Sequence, residues 1–233
     1  MAETHISERL EAVRSRITSA CTRFGRPVSE VKLLAVSKTK PVSMIEDAWH
    51  AGQRHFAENY LQEGLDKIKA VSVENIQWHY IGAIQSNKTR AIAENFTYVH
   101  TVASSRVARR LNDQRPDTLP PIKVLVQVNI SGESSKAGVD SAAVLDLIDT
   151  MLHYPRLEIC GLMAIPEPDP DFNRQREAFR RLHILRDDIQ SHFGDGLDGF
   201  DDLSMGMSND LEAAIAEGAT WLRIGTAIFG PRG

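Results

Sequence analysis

The sequence is poor in cysteine. Its 233 residues include only Cys21 and Cys160. Small secreted folds held together by disulfides need a denser cysteine framework, so that class of protein is disfavoured. Cys21 belongs to an amphipathic helical pattern and Cys160 to a strand-like run. We therefore expect two buried free thiols in a reducing compartment.

Long apolar runs and an excess of positive charge are also missing. No segment approaches the roughly 18 apolar residues of a membrane span. The N-terminal residues 1–5 are followed by a charged amphipathic segment rather than by the apolar region of a signal peptide. Lysine and arginine number 27 against 31 acidic residues, a net charge of -4. Nothing therefore favours nucleic acid or anionic membranes as partners. The eight histidines show no metal-ligand spacing, so no metal site is predicted. We expect a cytoplasmic protein.

The chain does contain a regular alternation of strand and helix patterns. Apolar residues spaced by three or four from Ile6 to Phe24 predict an amphipathic helix before the first strand. Eight strands are predicted at Leu33–Ser37, His55–Ala57, Trp78–Ile81, Tyr98–Thr101, Lys123–Asn129, Leu157–Met163, Asp202–Met205 and Trp221–Ile224. Helices are predicted between them at Val42–Ala51, Tyr60–Ala70, Asn87–Glu94, Ser104–Asn112, Ser141–His153, Asp171–His192 and Asn209–Glu217.

Strict alternation implies an α/β fold with parallel strands joined by right-handed crossovers, and eight such units close a (β/α)8 TIM barrel. We predict one barrel domain over residues 1–233 with an extra N-terminal helix. The alternative is an open doubly wound sheet, which would usually separate the first strand from the last.

Polar residues follow the predicted strands, on the face where barrel enzymes carry their sites. Lys38 breaks out of the apolar run 33–37, and Arg223 lies on the last strand. In a barrel the first and last strands are neighbours, so we expect Lys38 and Arg223 to share one site. Phosphate sites in barrels often use the loops after strands seven and eight. These loops offer small or hydroxylated residues that suit a phosphate: Gly206, Ser208, Asn209, Gly225 and Thr226. The alternative is that Ser208-Asn209-Asp210 only caps the next helix.

A lysine that faces a phosphate site suggests a phosphorylated aldehyde held as a Schiff base, which points to pyridoxal 5'-phosphate (PLP). Burial at a strand end and the nearby Lys40 would both lower the pKa of Lys38 and so favour its neutral, reactive form. The alternative is that Lys38 only extends its amine to solvent at the barrel rim. Asn59 is a further ligand candidate, because an amide can contact a cofactor ring without titrating. Lys40 is interpreted as an exposed or ligand-steering cation, and Lys136 as a loop lysine.

Other polar residues near the strand ends have structural interpretations. His79 lies among apolar neighbours and is predicted to be a hydrogen-bonded core histidine rather than a general acid. Tyr80 is predicted to pack in the core or at the rim, and Tyr60 to lie near the mouth of the barrel. Glu58 and Asp210 are interpreted as helix caps.

Several segments together resemble the YggS/PROSC family, the pyridoxal phosphate homeostasis proteins. The resemblance covers essentially the whole chain and is carried by residues 33–41, 58–63, 78–88, 161–163, 203–208 and 222–230. Ala83-Ile84 stands where the family often has Pro-Leu, a conservative departure. The resemblance implies a fold-type-III barrel, similar to the N-terminal domain of alanine racemase. It further implies that Lys38 carries PLP, that Arg223 approaches the pyridine nitrogen, and that Ser208, Gly225 and Thr226 hold the phosphate.

Arg223 also bears on activity, since a guanidinium stays protonated and cannot accept a hydrogen bond. The pyridine nitrogen beside it would stay unprotonated and be a weak electron sink. In alanine racemase a second base comes from a C-terminal domain of the partner subunit, whereas this sequence ends at Gly233, directly after the last strand. The expected function is therefore a monomeric PLP carrier, not an enzyme, that stores, buffers or delivers cofactor, with PLP-dependent apo-enzymes as possible recipients. The alternatives are a small PLP-dependent amino-acid racemase and a phosphate-binding barrel enzyme without cofactor.

Overall fold

Eight parallel strands close into a barrel in the computed structural model, which describes residues 5–132 and 137–231. The strands are β1 Lys32–Val36, β2 His55–Glu58, β3 Gln77–Tyr80, β4 Tyr98–Val102, β5 Ile122–Asn129, β6 Leu157–Met163, β7 Asp202–Ser204 and β8 Trp221–Ile224. They run in sequence order around the barrel, and the pairing of β1 with β8 joins the first strand to the last. In that pair Leu34 lies opposite Arg223. The predicted TIM barrel is confirmed, and the open sheet is excluded.

Helices cover the outside of the barrel. They are α1 Ile6–Arg23, α2 Val42–His50, α3 Leu61–Ala70, α4 Thr89–Asn95, α5 Ser105–Gln114, α6 Val144–Leu152, α7 Phe172–Phe193, α8 Leu211–Ala216 and α9 Thr226–Phe229. The extra N-terminal helix is confirmed as α1. Its buried face packs against α2, α8 and α9, the helices that flank β1 and β8. The N-terminal helix therefore supports the part of the barrel where the predicted site lies.

The buried side chains form two clusters, as strand alternation requires. The larger cluster lies between the strands and the helices. The smaller one fills the inside of the barrel and consists of Leu34, Val36, Ala57, Tyr98, Leu125, Cys160, Met163 and Trp221. Cys21 and Cys160 are both buried and free, as predicted.

The structure departs from the predicted elements mainly at helix starts. The helix predicted from Asn87 begins at Thr89, the one from Asn209 begins at Leu211, and Ser141–Ala143 forms a 3₁₀ turn before α6. The first four backbone N–H groups of a helix have no acceptor within it, so helix starts vary by one or two residues. The apolar periodicity of the sequence therefore does not mark the first helical residue. An unpredicted two-residue strand, Val139–Asp140, pairs with the end of β5. Among the described residues no helix is long and apolar enough to cross a membrane.

Candidate active-site cavity

All six residues predicted to bind the cofactor line one cavity at the carboxyl ends of the strands. The cavity measures about 960 Å³. Its lining includes Lys38, Asn59, Ser208, Arg223, Gly225 and Thr226. Lys38 and Arg223 meet there because β1 and β8 are paired and side chains at alternate positions enter the barrel. The roles of the six residues stay predictions. Lys136 lies outside the described residues.

The turn that carries Lys38 is held by neighbouring backbone and side chains. Lys38 is half-buried and lies two residues after β1. Before it, the Ser37 N–H donates to the carbonyl of Ala57 at 3.0 Å. After it, Thr39 has a φ of 63°, a left-handed conformation unusual for a β-branched residue. The Thr39 N–H donates to Oε1 of Glu63 at 2.5 Å. These bonds fix the direction in which the chain leaves β1.

A buried ionic cluster lies directly behind this turn. Lys67 Nζ donates to the carbonyl of Ser37 at 2.7 Å, to Glu58 Oε1 at 2.8 Å and to Glu63 Oε1 at 2.6 Å. The Ser37 hydroxyl donates to Glu58 Oε1 at 2.6 Å. Burial raises the pKa of Glu58, although its bonds to Lys67 and Ser37 oppose this. The interpretation of Glu58 as a helix cap is wrong, because it faces α3 from the side and holds Lys67 and Ser37.

Asn59 enters the cavity from the loop after β2. Its Oδ1 atom is buried and has no hydrogen-bond partner among the described residues. Its backbone is pressed against the next loop, where a Cβ on Gly82 would lie 1.9 Å from the Asn59 carbonyl oxygen. Only glycine fits at position 82. The side-chain oxygen of Asn59 is thus a hydrogen-bond acceptor without a partner, which a ligand donor would satisfy.

The loop after β7 is held by charged groups on both sides. Arg16 donates from Nη1 to the Ser208 carbonyl at 2.7 Å and pairs with Glu212. Asp210 Oδ1 accepts from the Met207 N–H at 2.5 Å. Asp210 occupies the N-cap position of α8 without making a capping bond, so its interpretation as a cap is wrong. Burial raises the pKa of Asp210.

The loop after β8 presents backbone donors. Ile228 and Phe229 donate to the Gly225 carbonyl, both at 2.9 Å. The preceding N–H groups, of Thr226 and Ala227, donate to no backbone carbonyl within the described part of the chain. Thr226 is exposed and Gly225 is half-buried. Unpaired N–H groups and a hydroxyl suit an anion.

Arg223 extends from β8 into the barrel and is only 5% exposed. Its Nη1 donates to Ser204 Oγ at 2.8 Å and its Nη2 to the Ala164 carbonyl at 2.9 Å. Burial lowers the pKa of Arg223 to about 10, and Asp210 opposes the shift. At neutral pH the guanidinium is therefore a protonated, donor-only group at the cavity floor.

His79 and Tyr80 are buried, as the sequence predicts, and Tyr60 lines a neighbouring cavity. His79 is fully buried and bonded to two other histidines, which confirms it as a core residue. Tyr80 is buried, its hydroxyl donates to the Ala83 carbonyl at 3.1 Å, and burial raises its pKa. Tyr60 is 55% exposed and lines a second cavity, of about 730 Å³, which adjoins the first at Asn59. No tyrosine lines the 960 Å³ cavity within the described residues.

The family assignment follows from comparison with known proteins. The model of the family described as alanine racemase, N-terminal domain, matches residues 9–233. The chain belongs to this family. A relative from Escherichia coli K12, named pyridoxal phosphate homeostasis protein, is 49% identical over 230 residues, which cover 97% of each chain. A relative of the same name from Pseudomonas aeruginosa is 50% identical, with 97% of this chain and 96% of that one covered. The resemblance to that protein family is confirmed.

Solved structures share the fold of this chain. PipY of Synechococcus elongatus, solved with PLP bound, has a TM-score of 0.84 and 34% identity, with 97% of this chain and all of that one covered. Alanine racemase from Corynebacterium glutamicum has a TM-score of 0.67 and 19% identity; the match covers 95% of this chain and 61% of the racemase. At that identity the likeness shows the fold alone.

Sequence reasoning missed several residues around this cavity. Lys67, Arg16 and Ser204 each hold a predicted site residue or its loop, yet none follows a strand in the way that marked Lys38. Lys67 has the spacing of a surface helix lysine, four residues after Glu63. The available signal was that Lys67 follows Glu63 at the helical spacing of four residues, but a solvated ion pair has the same pattern. Among the described residues no group of histidines, cysteines or carboxylates is arranged to hold a metal ion.

Proposed function

We propose that this protein binds PLP, holds it as a Schiff base on Lys38, and serves PLP homeostasis by storing, buffering or delivering the cofactor. The observation that carries the proposal is the single cavity in which Lys38, Arg223 and the loops of Ser208 and Thr226 meet. The names of the relatives and the PLP-bound PipY structure support it.

The residues present fit the cofactor. A phosphate monoester carries roughly -1.5 to -2 charge at pH 7. Four basic residues line the cavity, Arg16, Lys38, Lys40 and Arg223, against the acidic Asp169 and Asp210. The Asn59 Oδ1 acceptor and the N–H groups of Thr226 and Ala227, which donate to no backbone carbonyl of the described residues, supply uncharged partners. We assign the phosphate to Ser208, Gly225 and Thr226, the ring nitrogen side to Arg223, and a ring contact to Asn59.

The chain's own groups favour a carrier over a catalyst. When bound, PLP supplies an aldehyde that condenses with an amine and releases one water. Arg223 can only donate hydrogen bonds and keeps its charge, so it does not deliver a proton to the ring nitrogen. A second acid or base is needed for racemisation. Tyr80 is buried, and its hydroxyl is engaged with the Ala83 carbonyl. Tyr60 is exposed and lines the adjoining cavity.

The second candidate is a small PLP-dependent amino-acid racemase, which the shared fold keeps open. The predicted partners and location accompany the first proposal: a monomer in the cytoplasm, with PLP-dependent apo-enzymes as recipients. Exposed residues at the cavity mouth, Ile165, Met207 and Thr226, leave the site reachable from outside. A carrier needs such access to pass its cargo on.

The test is to trap the cofactor chemically. We expect borohydride reduction of the PLP-loaded protein, followed by peptide mapping, to place the cofactor on Lys38. The Lys38→Ala variant should lose the trapped product and keep weaker binding through the phosphate contacts, while Lys40→Ala should still be trapped at Lys38. Trapping wholly on Lys40, Lys88 or Lys136 would refute the assignment. Chiral chromatography separates the two functions: turnover in the enzyme range of about 1–1000 per second would establish the racemase.

A further inference from the structure

A continuous chain of hydrogen bonds crosses the inside of the barrel. Arg223 Nη1 donates to Ser204 Oγ at 2.8 Å, and Ser204 Oγ lies 2.8 Å from His100 Nδ1. His100 Nε2 lies 2.8 Å from His79 Nδ1, and His79 Nε2 lies 3.0 Å from His55 Nδ1. The chain runs from the cavity floor to the opposite end of the barrel, where β2 begins at His55. TIM barrel interiors are normally filled by branched apolar side chains.

The imidazoles cannot turn out of this chain without disturbing their neighbours. His79 and His100 are fully buried, and His55 is half-buried. The ring of Tyr98 stacks on His79 with centroids 4.2 Å apart and planes inclined by 2°. Trp221 meets His55 and His79 edge-on, each at 4.9 Å. Packing therefore holds the three rings in the orientation that links them.

Arg223 sets the direction of every bond in the chain. A guanidinium has only donors, so Ser204 Oγ must accept from it. Among the described residues the Ser204 hydroxyl has no other acceptor than His100 Nδ1, so we assign its hydrogen to that bond, which leaves His100 with its proton on Nε2. His100 Nε2 consequently donates to His79 Nδ1, and His79 Nε2 donates to His55 Nδ1. All three histidines are thus the Nε2–H tautomer.

The common direction has an electrostatic consequence. Each imidazole turns its lone pair towards Arg223 and its N–H away, so three neutral dipoles face the cation with their negative ends. No carboxylate of residues 5–132 or 137–231 lies within 4.0 Å of the Arg223 guanidinium nitrogens. A buried charge needs compensation. Here the aligned dipoles and the Ala164 carbonyl supply part of it, together with the more distant charge of Asp210.

We propose that Ser204, His100, His79 and His55 are positioning residues that act through Arg223, holding its guanidinium at the cavity floor. The part that concerns the cofactor rests on the proposed function: the chain fixes Arg223 on the ring nitrogen side of bound PLP.

The first measurement needs no ligand. In the ¹⁵N-histidine-labelled protein at pH 7.5, two-bond ¹H–¹⁵N correlations should show His55, His79 and His100 as neutral Nε2–H tautomers. A proton on Nδ1 of His100 or His79 would overturn the direction of the chain. Ser204→Thr, which retains a hydroxyl, should keep the pattern, whereas Ser204→Ala should let His100 depart from it.

The second measurement tests the position of Arg223 by ligand affinity. Affinity for PLP is compared with affinity for its carbocyclic analogue, in which C–H replaces the ring nitrogen. We expect Ser204→Ala and His100→Phe to reduce the preference for PLP about tenfold, the effect of one hydrogen bond to a charged group. His100→Asn keeps both an acceptor and a donor and should restore it. The control Thr101→Val removes another buried hydroxyl from β4, bonded to the Gly82 carbonyl, and should leave the preference unchanged.

The two measurements fail separately. Equal weakening for PLP and the analogue in Ser204→Ala would mean that the chain supports the fold only, and would overturn the positioning role. If Ser204→Ala does not fold, His100→Phe against His100→Asn gives the same comparison. An unmodified protein that binds neither ligand, with the Nε2–H pattern intact, would refute the proposed function and leave the hydrogen-bond chain standing.

Discussion

Lys38 lies in a turn whose backbone is held by side chains from β2 and α3. Lys67 contributes most to this arrangement, because its ammonium contacts the Ser37 carbonyl and both Glu58 and Glu63. Glu58 Oε2 is buried and has no hydrogen-bond partner in the described part of the chain. Without Lys67, the Glu58 carboxylate would be buried with only the Ser37 hydroxyl for compensation.

The first prediction is that Lys67→Met destabilises the protein. Removing one partner of a buried ion pair costs about 3–5 kcal/mol, since it leaves an uncompensated charge. Urea unfolding should show a loss of this size, while the exposed neighbour change Lys69→Met should be nearly neutral. Adding Glu58→Gln to Lys67→Met should recover part of the loss. Equal effects of the two lysine changes would contradict the view that the cluster holds the turn.

The second prediction separates phosphate binding from covalent attachment. Thr226→Glu places a negative charge beside the proposed phosphate site, so binding of PLP should weaken by more than the roughly 0.5–1.5 kcal/mol of one lost hydrogen bond. Thr226 is exposed, and the protein should remain folded. Pyridoxal, which lacks the phosphate, should bind both proteins almost equally. If titrations show equal weakening for both ligands, the loops after β7 and β8 do not bind the phosphate.

At the scale of elements, the strands and helices were predictable because apolar periodicity changes between period two and period 3.6 along the chain. Strand alternation also explains why Lys38 and Arg223 meet. The chain of histidines was not predictable in the same way. His55, His79 and His100 each begin or occupy a different strand, and only barrel closure brings β2–β4 close to Ser204 and Arg223 across the interior.

The same limit applies to the acidic residues. Glu58 and Asp210 each precede a helix, the usual place for a cap. In the structure Asp210 accepts from the Met207 N–H three residues before it, and Glu58 accepts from Lys67 on the next helix, so other donors occupy both carboxylates. Sequence position alone does not reveal those partners.

The third prediction is that the histidine chain makes the fold labile to acid. Burial lowers the pKa of His100 to about 3, helped by Arg223, and that of His55 to about 4, helped by Lys32 and opposed by Asp202. Burial also lowers the pKa of His79. Unfolded histidines take up protons below about pH 6.5, while these folded ones do not. Stability is therefore complete above pH 6.5 and falls as the pH drops from there towards 4.

Each histidine protonated only in the unfolded chain contributes about 1.4 kcal/mol per pH unit to this slope. The raised pKa values of Glu58 and Asp210 act in the opposite direction, so comparison between variants isolates the histidines. Denaturant unfolding between pH 7.5 and 4.5 should give a shallower pH dependence for His79→Gln than for the unmodified protein. The exposed His192→Gln should change nothing. Identical slopes for all three proteins would show that the buried histidines do not resist protonation.

At the scale of the whole molecule, the two ends of the chain are joined around the site. Helix α1 packs on α8 and α9, and Arg16 binds Glu212 and the Ser208 carbonyl across 196 and 192 residues of sequence. Lys32 at the start of β1 pairs with Asp202 at the start of β7. The likeness to alanine racemase structures shows the fold alone. The function of this chain therefore depends on the cavity that these contacts hold together.

The last prediction is that residues 1–233 unfold as one domain and that PLP stabilises all of it. Because β1 pairs with β8 and α1 covers both, neither half of the barrel can close without the other. Fluorescence and far-UV circular dichroism should therefore report one coincident unfolding transition. A ligand present at 100 times its Kd adds about 2.7 kcal/mol to the stability of the unit that binds it. If PLP raises the midpoint of the single transition, the site belongs to the whole barrel. Two transitions, with only one moved by PLP, would divide the chain into separate units and contradict the one-domain prediction.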